Sequence, residues 1–210
     1  MASRKVLPPL AAAVALAFAT PADAQTDGRP YAAARAMIDE AQLGDVFAPV
    51  EDDQISVRHM ASGLVCRFSR GSARAELTTF SGQPRGDDVG CIRDSADQAT
   101  TLYATRYAPP ISAEQALYEA VAGIRHRFSD ARPTPQTVQM SSEGLPEQHV
   151  AHFLVTVAGE RWITSAIVAR SGDWIIKLRY SARAVEDDAV MRHQIEAGAI
   201  FTLALLEMNR

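Results

Sequence analysis

Cysteine and lysine are nearly missing from this chain of 210 residues. Two cysteines, Cys66 and Cys91, exclude a four-thiolate zinc site and a disulfide-dense miniprotein. Lysine occurs only at Lys5 and Lys177. No apolar run reaches the roughly 20 residues that cross a bilayer as a helix. Neither sign of charge dominates, and a formal net charge of -4 excludes a polyanion binder working through bulk positive charge. The G-x-S-x-G and S-x-x-K settings of activated serines are absent, as are a Walker loop and a dinucleotide fingerprint.

What is present is ordinary globular material, 47% apolar and 22% charged, enough for one domain with a real core. It follows an address. Arg4 and Lys5 precede an apolar stretch from Val6 to Ala19, and Ala22-Asp23-Ala24 is a small-x-small cleavage pattern. This is the layout of a secretory signal peptide of bacterial type, so residues 1–24 are expected to be removed and the mature chain to begin at Gln25 in the periplasm, or outside the cell. Removal leaves 19 basic and 24 acidic residues, a net charge of -5, which speaks further against nucleic acid as a partner. No stable membrane insertion is expected after cleavage. In an oxidising compartment Cys66 and Cys91, 25 positions apart, are expected to form a structural disulfide worth about 3.5 kcal/mol by loop entropy.

Residues 25–53 read as a lead-in with a short helix over 31–43, stopped by Gly44, and residues 54–210 as an α+β domain. Ile55–Met60 and Leu64–Ser69 alternate around the turn Ala61-Ser62-Gly63 and predict a hairpin. Further strands are expected over 73–80, 89–93 and 100–107. Ser112 and Gln115 form a capping box for a helix to Phe128, with Leu117, Val121, Ile124 and Phe128 facing a sheet. A meander follows over 137–141, 150–157, 162–169 and 174–180. Trp174, Ile176 and Leu178 share its apolar face, and the alternation predicts a sheet covered on one side. A terminal helix over 186–207 concentrates its apolar residues in Ile195, Ala199, Ile200, Leu203 and Leu206.

The hairpin at 54–69, the capped helix at 112–128 and the block from Trp162 through Tyr180 into the last helix resemble the Mog1/PsbP-like fold family, an antiparallel β-sheet flanked by helices. That family includes extrinsic photosystem subunits, a nuclear transport factor and bacterial envelope proteins. The resemblance implies binding, with no shared catalytic residues to carry over. The segment RGDDVGC, followed by TLYATRY, is also similar to exported alphaproteobacterial proteins.

Chemistry is sparse. His149 and His152 fall on opposite faces of a strand, and His126 and His193 lack obvious co-ligands, so no metal and no cofactor are expected. Of three aspartate pairs, Asp187-Asp188 suits a helix start, and Asp87-Asp88 is the pair to inspect. Arginine clusters in the first half, at Arg58, Arg67, Arg70, Arg74, Arg85, Arg93 and Arg106. Its planar fork suits carboxylates and phosphates, making Arg67, Arg93 and Arg106 candidate anion ligands. The expectation is an exported, non-catalytic binding or accessory protein, with an envelope protein as partner. The rival is an exported hydrolase whose site is assembled from distant residues.

Overall fold

The computed structural model describes residues 28–69 and 72–208. The expected signal peptide and Arg70 lie outside the described residues. Helix α1 (Arg29–Glu40) leads into a three-stranded sheet of β1 (Phe47–Val50), β2 (Ile55–His59) and β3 (Val65–Phe68). Then follow β4 (Arg74–Thr79), β5 (Asp88–Asp94), β6 (Gln98–Thr105), α2 (Ala113–Arg127), β7 (Arg132–Pro133), β8 (Gln148–Val157), β9 (Glu160–Ser171), β10 (Trp174–Arg183) and α3 (Asp187–Met208). The second sheet has seven antiparallel strands in the order β4-β5-β6-β10-β9-β8-β7. The α+β class therefore holds, but with two sheets where the sequence suggested one.

Several elements form for the reasons their residues supply. Gly63 turns the β2–β3 hairpin at φ 77°, a left-handed conformation that costs glycine little. Ser112 Oγ accepts the Gln115 N–H at 3.1 Å and starts α2. The reciprocal arm of the capping box is not made, because the Gln115 amide turns to Glu119 at 3.0 Å. Helix α1 stops at Glu40, ahead of Gly44; Gln42, at φ 55°, takes the left-handed position that ends it.

The sheet is covered on both faces. Ile163, Ile167, Ile176, Leu178 and Tyr180 face one core with Val57, Leu64, Cys66 and Phe68 of the small sheet, Ala34 and Ile38 of α1, and Phe201 and Leu205 of α3. On the other face Ala166, Val168 and Ile175 lie under α2. One-sided alternation fails for β9 and β10, which run through the middle of the molecule. Helix α2 buries Ala113, Ala116, Ala120 and Ile124, while Leu117, Val121 and Phe128 are only half-buried at its margins.

Two further expectations are corrected. Residues 137–141 form no strand, and the sheet edge is completed by the two-residue β7 instead. The segment after β7 is a strap pinned to α3 by side chains. Gln194 accepts the Val138 N–H at 2.7 Å and donates to the Gln136 carbonyl at 3.0 Å, doing with one amide what a strand partner would do. The strap packs Met140 on the bare backbone of Gly198, where a Cβ would sit 2.7 Å from the sulfur. In α3 the face is the reverse of the expectation: Ala197, Gly198, Phe201, Ala204 and Leu205 are buried, whereas Ile195, Leu203 and Leu206 are 48, 47 and 43% exposed.

Cys66 and Cys91 are bonded, with a Cα–Cα distance of 6.2 Å. The bond joins β3 of the small sheet to β5 of the large one. Thiol labelling under denaturing conditions without reductant should find no free cysteine, and Cys91→Ser should lower unfolding free energy by up to about 3.5 kcal/mol. Ile124, with none of its surface exposed, fixes α2 to the sheet. Ile124→Ala should cost about 2–5 kcal/mol, read from the shift in denaturation midpoint.

Candidate functional site

The C-terminal half of α3 crosses the open side of β3, β5 and β6 and leaves a cleft of about 180 Å³ beneath it. Its walls are apolar at Val65, Phe68, Leu102, Ile200 and Leu203, and the Cys66–Cys91 bridge lies among them. Its polar groups are Gln54, Arg67, Arg93, Thr100 and Glu207. A second, polar depression of about 280 Å³ adjoins it, lined by Ser69, Ser72, Asp94, Ser95, Gln98 and Glu196. Arg93 lines both.

Arg67 is a strut. Its Nε donates to Asp52 Oδ2 at 2.9 Å, and its Nη1 donates to Glu207 Oε1. The guanidinium thus ties the turn before β2 to the last turn of α3. Burial disfavours the Asp52 carboxylate, but hydrogen bonds from Asp53, Ser56 and Arg67 outweigh it and hold the pKa down at about 2. Glu207 is buried, and its Oε2 has no hydrogen-bond partner among the described residues; the same is true of Thr100 Oγ1.

Arg93 stands opposite Thr100 in the β5–β6 register. Its Nη1 donates to the Arg67 carbonyl at 3.4 Å, and among the described residues it pairs with no carboxylate. Beside it lies a rigid polar chain. The buried Tyr180 hydroxyl donates to Glu196 Oε2 at 2.8 Å and stands 2.8 Å from His193 Nδ1, while Gln98 donates to Glu196 Oε1 at 3.0 Å. Burial, reinforced by the Glu196 contact, pushes the Tyr180 phenol far above its ordinary range, so it stays a neutral donor.

The three candidate arginines do not converge. Arg67 and Arg93 meet at the cleft. Arg106 lies six positions beyond Thr100, about 20 Å along the strand direction. There it donates to Asp87 at 2.5 Å and stacks over Trp174 at 5.2 Å. Asp87 and Asp88 are likewise divided: Asp87 takes Arg106, and Asp88 accepts from Thr105 at 2.8 Å. Among the described residues no three His, Cys, Asp or Glu side chains gather as metal ligands.

Two serine–histidine pairs bear on the hydrolase alternative. His59 Nδ1 is 2.7 Å from Ser62 Oγ, and His152 Nδ1 is 2.7 Å from Ser165 Oγ. His152 Nε2 lies 3.2 Å from the Val138 carbonyl, and the His59 ring meets the Gly86 backbone, where a relay would need a carboxylate. His59 is wedged between Phe47 and Trp174, and burial pulls its pKa down to about 4. His152 and Ser165 are sealed in the sheet. Both pairs act as internal braces, the first closing the β2–β3 turn and the second holding the strap.

A larger, apolar groove of about 730 Å³ separates the strap from the first half of α3, lined by Val138, Val190, Met191 and Ile195, with the Arg161–Asp187 and Arg192–Asp188 ion pairs at its rim. Among the described residues no helix is long and apolar enough to cross a membrane.

No protein-family model matches the chain, and no curated protein matches it. Two solved structures show limited similarity. One is LpqN of Mycobacterium tuberculosis, described as involved in cell envelope biogenesis, at 14% identity and a TM-score of 0.35, covering 63% of this chain and 83% of that one. The other is CalU16 of Micromonospora echinospora, at 11% identity and a TM-score of 0.24, covering 65% and 83%. Values this low do not establish a common fold.

Sequence reasoning found Arg67 and Arg93 but missed Glu207, Thr100 and the Tyr180–Glu196 pair. Glu207 shows itself only when the buried face of α3 is known, as a carboxylate three residues beyond Ala204 on that face. Asp52 carries a pH signature. Its ionised form is favoured by folding, so its contribution is fully present above about pH 4, where a free aspartate is ionised. It is lost as pH falls through about 2. Melting temperature against pH should show this acid limb, and Asp52→Asn should flatten it while lowering stability at neutral pH.

Proposed function

We propose that this chain is an exported, non-catalytic binding or accessory protein of the bacterial envelope, periplasmic in location. In this reading the cleft under α3 receives an anionic group on Arg93. The observation that carries it is the position of Arg93. Among the described residues it is the arginine at the junction of two depressions with no carboxylate of its own, while Arg67 is shared between Asp52 and Glu207 and Arg106 belongs to Asp87. A guanidinium so placed is a ready partner for a carboxylate or phosphate. The disulfide supports an oxidising compartment, and the sequence of the first 24 residues supports export. The α+β build is compatible with the Mog1/PsbP-like family, which remains part of the proposal, as does an envelope protein as partner.

Fractionation should recover the oxidised protein, beginning at Gln25, from the periplasm. Titration calorimetry with short carboxylates and inorganic phosphate should detect binding to the wild type. Arg93→Ala should weaken it at least tenfold without lowering the melting temperature appreciably. Absence of binding by every anion, or equal binding by Arg93→Ala, would refute the site.

A further inference from the structure

Resting on the reading of Arg93 as an anion receptor, we infer that the cleft takes a free amino acid with an apolar side chain: its carboxylate on Arg93, its ammonium on Glu207 Oε2 and Thr100 Oγ1, and its side chain beneath α3.

Size limits the ligand first. At about 180 Å³ the cleft is well below the roughly 300–1,000 Å³ of clefts that hold drug-sized molecules, so it admits something the size of one residue. The walls decide the body of the ligand. Phe68, Leu102, Ile200 and Leu203 offer only apolar contact, and burying aliphatic carbon there gives about 25 cal/mol per Å².

Charge decides the head. Arg67 is divided between two carboxylates, Asp52 and Glu207, leaving one negative charge in excess. Arg93 lies on the other flank of the same residue, bonded to the Arg67 carbonyl and in direct ion pairing with no carboxylate among the described residues. The cleft therefore presents a guanidinium in no ion pair and a carboxylate oxygen without a donor, and a zwitterion is complementary to the two together. A simple carboxylate would satisfy Arg93 alone.

Hydrogen bonding points the same way. Glu207 and Thr100 are 6 and 4% exposed, and Oε2 and Oγ1 find no partner among the described residues. A buried acceptor without a donor costs about 1–3 kcal/mol, more when it is charged. An ammonium brings three donors, enough for both atoms. Arg93 and Thr100 face each other directly across β5 and β6, so the two ends of the head group meet residues of one cross-strand pair. The adjoining polar depression, which Arg93 also lines, gives the carboxylate its route in from solvent.

The test compares ligands that differ by one group on the same carbon skeleton, using the oxidised wild-type protein and titration calorimetry. L-leucine should bind at least tenfold more tightly than 4-methylpentanoate, which lacks the ammonium, and more tightly than N-acetyl-leucine, whose nitrogen is a neutral amide while its carboxylate is kept. Leucinamide, without the carboxylate, should bind least. Equal binding of leucine and 4-methylpentanoate would overturn the zwitterion inference while leaving the anion site standing. Binding of none of the four would overturn the amino-acid inference, and the anion site falls with it only if the short carboxylates and inorganic phosphate also fail to bind. Two variants check the assignment. Thr100→Val and Glu207→Gln should each weaken leucine binding while leaving 4-methylpentanoate unchanged. Since Glu207 also braces Arg67, the Thr100 variant and the wild-type series decide the matter if Glu207→Gln does not fold. Leucine affinity unchanged in Thr100→Val and in a folded Glu207→Gln would remove the ammonium site.

Discussion

Everything in this molecule depends on the small sheet being held against the large one. The two share no strand pairing, and neither can cover its own apolar face. Val57, Leu64 and Phe68 close the core from one side, Leu77, Val89 and Leu102 from the other, and Cys66–Cys91 is the covalent tie across the gap. The same tie sets the cleft. Cys66 immediately precedes Arg67, and Cys91 lies two residues from Arg93 and so on the same side of β5. Helix α3 is the third wall, and its last turn is anchored to the small sheet by Glu207 gripping Arg67.

Local pattern made much of the fold legible. The β2–β3 hairpin, the Ser112 cap and the strands over 148–183 announce themselves within a few residues of sequence, since turns, caps and alternation are short-range physics. Pairing of β10 with β6 is not local, and nothing in either strand names the other. The two-sided burial of β9 did have a signal. Residues 163–169 read ITSAIVA, an almost unbroken run of apolar and small residues without the charges of a solvated face. Helix α3 misled for a different reason. Its bulky aliphatics look like a core stripe, yet the core side is built from Ala197, Gly198 and Ala204 around Phe201 and Leu205, because the helix lies close to the sheet and the strap. Small residues bring backbones together, and large ones are left outside.

The site was legible as residue types and not as an arrangement. Arginines that look equivalent in sequence are told apart by their carboxylates, and those come from far away: Glu207 reaches Arg67 across 140 positions, whereas Asp87 reaches Arg106 across 19. What distinguishes Arg93 is the lack of such a partner among the described residues, a property of the fold alone. The buried histidines follow the same rule. Burial favours the neutral form of both rings, while their hydroxyl and carbonyl partners fix their orientation and make them braces.

Helix α3 follows every strand of both sheets in sequence, which sets an order for maturation. A polypeptide leaving a ribosome or a translocation pore amino terminus first presents both cysteines when fewer than half of its residues have emerged. β10, which fills the middle of the large sheet, and α3, which roofs the cleft, arrive after both cysteines. Oxidation can therefore precede assembly. A chain with its disulfide made but β10 and α3 not yet in place has β3 joined to β5, an open core and no cleft. The disulfide records that β3 and β5 have met an oxidant, while the cleft waits for α3.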